Sequence, residues 1–110
     1  MNFSVIATEP FEKKLKRLVK KHKSLKADLL EVINELEKNP KLGTSLGKDC
    51  YKIRITITSK GKGKSGGATI ITFVRIQNNN VFLMDIYDKS EQANISEKEL
   101  QWLIELLANS

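Results

Sequence analysis

The sequence predicts an α+β fold, a single domain over residues 1–110 with helices stacked on one face of a mostly antiparallel sheet. Three observations predict it. Apolar residues recur at helical spacing over two adjacent stretches, 11–22 and 25–36. Three runs with the apolar patterns of strands follow, at 50–58, 68–76 and 81–87. A chain of 110 residues is long enough to bury one core and too short for two ordinary ones.

Residues 1–7 alternate apolar and polar, as a half-buried strand does. Thr8 is a candidate N-cap, and Pro10 sits in the first helical turn, where a missing N–H costs nothing. Phe11, Leu15, Leu18, Val19 and His22 mark the inner face of the first helix, with lysines at the remaining positions. Ser24 offers a second cap. Leu25, Leu29, Val32, Ile33 and Leu36 mark the inner face of a second helix, which stops at Asn39-Pro40. So short a connection requires an antiparallel helix pair.

Lys41 to Asp49 reads as a loop with glycines at 43 and 47. From 50 to 58 the alternation is clean: Tyr51, Ile53, Ile55 and Ile57 face the core, and Lys52, Arg54, Thr56 and Thr58 face away. A Lys/Gly/Ser linker covers 59–67, followed by a more fully buried strand, a turn at Asn78-Asn79-Asn80 and a last strand. Parity assigns Tyr51 and Phe82 to the core and Tyr87 to the open face. Ser96 and Glu99 form a capping box for a final helix that turns Leu100, Leu103, Leu106 and Leu107 inward; its apolar side, with Trp102, reads as core, with a partner groove as the alternative. The order is β-α-α-β-β-β-α.

Charge is spread unevenly over this frame. Residues 1–26 carry eight basic and two acidic side chains, 48–75 seven and one, and 85–110 two and six. A net charge of +6 arranged this way favours encounters with a polyanion or an acidic protein. No apolar run approaches the roughly 20 residues needed to cross a bilayer, and the first residues lack the charged-then-apolar order of a signal peptide. The single cysteine, Cys50, leaves no internal disulfide. A cytoplasmic protein without membrane partners is expected.

Several chemistries are poorly served. His22 is the only histidine, so a two-histidine acid–base nuclease is excluded, and its phase suits a packed or edge position. No cluster of His, Cys, Asp and Glu has metal-ligand spacing, and Asp85 and Asp88 read as solvated carboxylates at a strand end. Gly61-Lys62-Gly63-Lys64-Ser65 resembles a phosphate-binding loop only superficially. Thr58 stands where the first glycine belongs, and the segment leads into a strand rather than a helix. What remains is a basic face. Lys52 and Arg54 leave the same side of one strand, about 7 Å apart at the usual rise. Lys60, Lys62 and Lys64 in the linker and Lys89 after the last strand complete an electropositive hollow on the sheet face away from the helix pair. Tyr87 is its best-placed stacking aromatic.

Asn39-Pro40, Leu46-Gly47, Cys50-Tyr51-Lys52-Ile53-Arg54, the run from Ser59 to Gly67, and Ile86-Tyr87-Asp88-Lys89-Ser90-Glu91 together resemble the HigB-like toxins of the RelE/ParE superfamily. The lysine–glycine run is the most specific part, and the helix pair matches in type and position. The resemblance implies a toxin that enters the ribosomal A site and cuts mRNA there without a metal or other cofactor, the neighbouring 2′-hydroxyl attacking the phosphate. It implies that Lys52 and Arg54 stabilise charge and assist proton transfer, with Tyr87 and Lys89 as further candidate catalytic residues. Lys60, Lys62, Lys64 and Thr69 are the candidate RNA-binding set. A lysine acts as a base only when neutral, a form that Arg54 and Lys60 nearby would favour.

Thr69 departs from the family pattern, which carries an arginine there after the paired glycines; threonine cannot make a bidentate phosphate contact. Ser90 stands near the point where RelE-type members carry a further arginine, one that HigB-like members commonly lack. The expected partners are an acidic antitoxin, the ribosome with its mRNA, and promoter DNA reached only through the antitoxin. Two other readings share the fold: a ParE-like inhibitor of DNA gyrase, and an attenuated toxin that acts mainly by binding its antitoxin.

Overall fold

A computed structural model describes residues 2–60 and 66–108. The chain runs β1 (Ser4–Ala7), α1 (Glu9–Lys21), α2 (Leu25–Lys38), β2 (Thr44–Gly47), β3 (Cys50–Ile55), β4 (Ala68–Arg75), β5 (Asn80–Asp88) and α3 (Glu97–Ala108). These form one sheet in the order β1-β5-β4-β3-β2, with β1 parallel to β5 and every other pair antiparallel. The expected α+β architecture, a helical hairpin on a mostly antiparallel sheet, is present.

Several features differ from the sequence-based expectation. Residues 44–47, expected as loop, form a short edge strand that pairs Thr44 with Lys52 and Ser45 with Tyr51. An edge strand of four residues with Leu46 as its one large apolar side chain carries no readable alternation. The second difference is α3, which packs on the sheet face opposite the hairpin. Phe11, Leu18, Leu25, Leu29 and Leu36 of the hairpin meet Ile53, Ile55, Ile70, Val81, Leu83 and Ile86 on one side, whereas Leu100 and Leu103 meet Cys50, Ile71, Met84 and Tyr87 on the other. The reason lies in β4 and β5. Their near-continuous apolar runs, Ile70-Ile71 and Leu83-Met84 among them, are buried on both faces and need cover on both.

A bulge in β5 sets which side chains face α3. Ile71 pairs with Asp85 but Thr72 pairs with Leu83, leaving Met84 as the extra residue. Leu83 and Ile86 therefore both face the hairpin, and Tyr87 falls on the same side as Phe82 and Met84. Parity counted without a bulge placed Phe82 and Tyr87 on opposite faces. Half of the expected capping box forms, the Glu99 N–H donating to the Ser96 hydroxyl at 3.1 Å. Thr8 occupies the N-cap position of α1, but its hydroxyl donates to the Leu83 carbonyl at 2.8 Å and fastens the helix start to β5.

Candidate functional site

The register of the sheet brings the sequence candidates into rows. Arg54, Thr69 and Tyr87 are cross-strand partners in β3, β4 and β5, and Lys52, Ile71 and Asp85 form the adjacent row. Strands about 4.8 Å apart put Arg54 and Tyr87 roughly 10 Å apart across Thr69. Arg54 is exposed and Lys52 half-buried. Among the described residues neither side chain meets a carboxylate or any other hydrogen-bond partner.

Tyr87 lies on this face but not in the open. It is 3% exposed beneath Leu100 and Leu103 of α3, and its hydroxyl has no hydrogen-bond partner among the described residues. Burial raises its pKa, Asp85 and Glu99 push the same way, and Thr69 and Arg54 offset part of the shift. The phenol therefore stays protonated, a donor at the floor of the site rather than a stacking surface. Thr69 is buried as well, at 2%.

One row beyond, at the same end of the sheet, a buried carboxylate ties four segments together. Asp88 is fully buried. It accepts from Lys60 Nζ at 3.1 and 3.2 Å, from the Ser90 N–H at 2.9 Å and the Ser90 hydroxyl at 2.8 Å, and lies 3.0 Å from His22 Nε2. Burial alone would raise its pKa, but the Ser90 contacts, then Lys60 and His22, hold it well below the ordinary carboxylate range. Asp85, 1% exposed, accepts from Lys14 Nζ at 2.7 Å and from the Ile86 N–H at 2.9 Å, while its other oxygen has no partner among the described residues. Both aspartates were expected to be solvated. They are buried because β5 is an interior strand covered on both faces, and lysines from outside the sheet reach in to neutralise them.

Lys60 is thus an internal counter-ion, 19% exposed at its side chain, and not a free neighbour of Lys52. Its turn is fixed a second time: Asp28 accepts from the Thr58 N–H at 2.9 Å and hydroxyl at 2.6 Å, and Ser59 N–H donates to the Ser24 hydroxyl at 2.8 Å. On the far side of the linker, a Cβ at Gly67 would overlap the Ile55 carbonyl, so the strand ends can approach only through glycine. The Lys89 N–H donates to the Gly67 carbonyl at 3.1 Å, and the Lys89 side chain has no ion-pair partner among the described residues. Lys62 and Lys64 lie outside the described residues.

The alternation over 50–58 put Lys52 and Arg54 on one strand face, where the structure has them, but gave no sign of the Asp88 cluster. The available signal was His22 itself, since a histidine in phase with an apolar helix face requires a buried hydrogen-bonding partner. Among the described residues no group of three His, Cys, Asp or Glu side chains could hold a metal ion. At the His22–Asp88 pair the third member is a lysine, whose charge opposes a cation. Cys50 is buried beneath α3, which pushes its thiol up to about 11 and makes it a poor nucleophile.

Two solved structures share this architecture. An arginine-substituted mutant of the E. coli toxin RelE in the free state matches with a TM-score of 0.64 at 18% identity, covering 84% of this chain and 90% of that one. The intact E. coli RelBE toxin–antitoxin complex matches with a TM-score of 0.61 at 19% identity, covering 78% of this chain and 95% of the matched one. At such identities the likeness is one of fold. A family model described as the RelE toxin of the RelE/RelB toxin–antitoxin system matches residues 11–109, nearly the whole chain, and the protein belongs to this RelE toxin family.

Proposed function

We propose that this chain is a HigB-like toxin of a type II toxin–antitoxin system, a ribosome-dependent and metal-independent mRNA endoribonuclease held in check by an acidic antitoxin. The observation that carries the reading is the pair Lys52 and Arg54, two cations on one strand face with no counter-ion among the described residues. A phosphate seated there would meet unneutralised charge next to a protonated phenol and a buried threonine.

In this mechanism Lys52 takes up the proton of the 2′-hydroxyl, the role that the resemblance implies for it. The 2′-oxygen bonds to phosphorus and the bond to the 5′-oxygen breaks, leaving a 2′,3′-cyclic phosphate and a 5′-hydroxyl. Arg54 stabilises the crowded charge of the pentacovalent phosphate. Lys89, at the exit of β5, is the candidate donor of the proton that the departing 5′-oxygen takes up. Tyr87 and Thr69 form the floor. Lys62 and Lys64 are proposed to follow the RNA backbone, and Lys60, bound to Asp88, to contribute by holding the turn. The toxin works in the cytoplasm and reaches promoter DNA only through its antitoxin.

A specific observation favours a second reading, that of an attenuated toxin. Thr69 stands where the HigB-like pattern that the chain resembles usually has an arginine, and Tyr87 is covered by α3, which leaves Lys52 and Arg54 as the open members of their rows. Pulse incorporation of labelled methionine and thymidine, minutes after inducing the chain alone, separates the readings. An early collapse of methionine incorporation is the expected result. Thymidine falling first would transfer the case to gyrase inhibition, and no fall in either to a disarmed toxin.

A further inference from the structure

Clefts of opposite character border the sheet. One, between α3 and the start of α1, is apolar, and there Trp102 and Leu106 stand 56% and 42% exposed instead of turning inward as their spacing suggested. Another, about 680 Å³, lies between α2 and β3. Glu31, Val32 and Glu35 of α2 form one wall, β3 from Lys52 onward forms the other, and Leu42 also lines it. That size suits a small ligand.

The β3 wall presents an open backbone edge. β2 pairs with β3 only over Cys50 to Lys52. Beyond Lys52 that side of the strand has no neighbour, while the other side stays paired with β4 as far as Ile55. Two close approaches fix the direction of the backbone groups. A Cβ on Gly43 would overlap the Lys52 carbonyl, so that carbonyl points outward; one on Gly67 would overlap the Ile55 carbonyl, which points towards β4. Backbone groups alternate along a strand, and the Arg54 N–H and C=O therefore both point outward, into the cleft. Neither has a backbone partner on that side among the described residues.

The edge is closed at both ends. Gly43 abuts it at Lys52, and beyond Thr56 Asp28 accepts from the Thr58 N–H and hydroxyl at 2.9 and 2.6 Å. The open stretch, residues 53–56, is only about 13 Å long at the usual rise, so an added strand has no way to run on past it. A single flat ring fits better. Half-buried Val32 and Leu42 offer it an apolar face, and Arg54 offers a donor and an acceptor side by side. The Arg54 side chain leaves on the open sheet face with Lys52, which sets both cations beside a ring held at the edge.

We propose that this slot seats one base of the RNA next to the scissile phosphate and selects adenine or cytosine over guanine and uracil. The proposal rests on the ribonuclease reading and adds a base subsite and its selectivity. Adenine and cytosine carry an amino group beside a ring acceptor. The ring nitrogen accepts from the Arg54 N–H, and the amino group donates to the Arg54 carbonyl, leaving a second amino hydrogen for the acidic wall. Glu31 and Glu35, one helical turn apart, are exposed and hold no ion pair among the described residues. Both Asp28 oxygens, by contrast, are taken up by Ser24 and Thr58. Guanine and uracil turn a carbonyl oxygen to the free carboxylates instead, acceptor against acceptor.

The isotope-labelled chain is titrated with AMP, CMP, GMP, UMP and inorganic phosphate while the Arg54 amide is followed by NMR. AMP and CMP are expected to shift it saturably at concentrations about 10-fold below those needed of GMP or UMP. On ribosome-held messages that differ only in the base beside the cut, cleavage should follow the same order. Glu31→Gln/Glu35→Gln, at two exposed positions, should bring the four bases within about 3-fold of one another. Because the reading group is backbone, the residual cutting of Arg54→Ala should keep the wild-type preference. An equal response to all four nucleotides, or one that phosphate alone reproduces, overturns the slot, as does an unaltered preference in the double glutamine variant. An Arg54 amide that no nucleotide moves but that the antitoxin protects from exchange makes the edge a strand-addition site and also overturns it. Nucleotide selectivity in a chain that cuts no message overturns the ribonuclease reading and leaves the slot standing.

Discussion

Lys60 and Lys14 end on the buried carboxylates of Asp88 and Asp85, at 3.1 and 2.7 Å, whereas among the described residues Lys52 and Arg54 have no carboxylate within ion-pair distance, although Asp28, Glu31 and Glu35 line the same groove. Both groups bear on the same sheet, Lys14 from α1 and Lys60 from the turn after β3, and share a side-chain chemistry. They differ in what the fold places opposite them. An aspartate buried in an interior strand needs a cation, because an unpaired buried charge costs several kcal/mol. The lysine that answers it becomes part of the structure. A cation facing an open sheet surface costs nothing to leave hydrated, and it remains available to a phosphate. Net charge cannot separate these cases; position relative to buried acid can.

The largest effects are expected from removing one group or the other. Replacing Lys52 and Arg54 together with alanine should lower message cleavage by about 10³-fold or more while changing stability by less than about 0.5 kcal/mol, as measured by cleavage assays and thermal melts on the same samples. Asp88→Asn should do the reverse. It strands Lys60 and the His22 contact, costing about 3–5 kcal/mol, and cleavage per folded molecule at low temperature should persist. The same carboxylate sets an acid limit. Its folded pKa is depressed, so its stabilising contribution is complete above the unfolded value near 3.9 and is lost as pH falls towards the folded one. Melts of the wild type should therefore steepen below about pH 4, and those of Asp88→Asn should be flatter there.

Thr69→Arg sharpens the contrast by adding a cation to the open face. Cleavage should rise, with about 1–3 kcal/mol of stability lost because the site is buried between Arg54 and Tyr87; unchanged toxicity would remove Thr69 as the cause of attenuation. The smallest effect is expected at Cys50. With its thiol pushed up to about 11, iodoacetamide at pH 8 should leave it unmodified in the folded protein, as mass spectrometry would report.

Much of this fold was legible because its patterns are local. The helical stripes of α1 and α2, the alternation that sends Lys52 and Arg54 away from the hairpin, and the buried runs of β4 and β5 all lie within ten or so residues of sequence. Long-range pairing carried the rest. The stripe of α3 suits either face of a sheet, and only the double-sided burial of β4 and β5 decides between them. The bulge at Met84 leaves no mark on a sequence that is apolar on both sides of it, and one extra residue reassigns Phe82 and Tyr87. Asp88 meets Lys60 and His22 from 28 and 66 residues away, so its carboxylate read as solvated until the sheet was assembled.

The most direct measurement is single-turnover cleavage of a message held on the ribosome, comparing the wild type with Lys60→Met and the Lys52→Ala/Arg54→Ala double variant, with each corrected for its folded fraction. Cutting is expected to be lost in the double variant and retained in Lys60→Met. A double variant that cuts at the wild-type rate, or a Lys60→Met variant that is folded yet inactive, would contradict the assignment of chemistry to the unpaired cations.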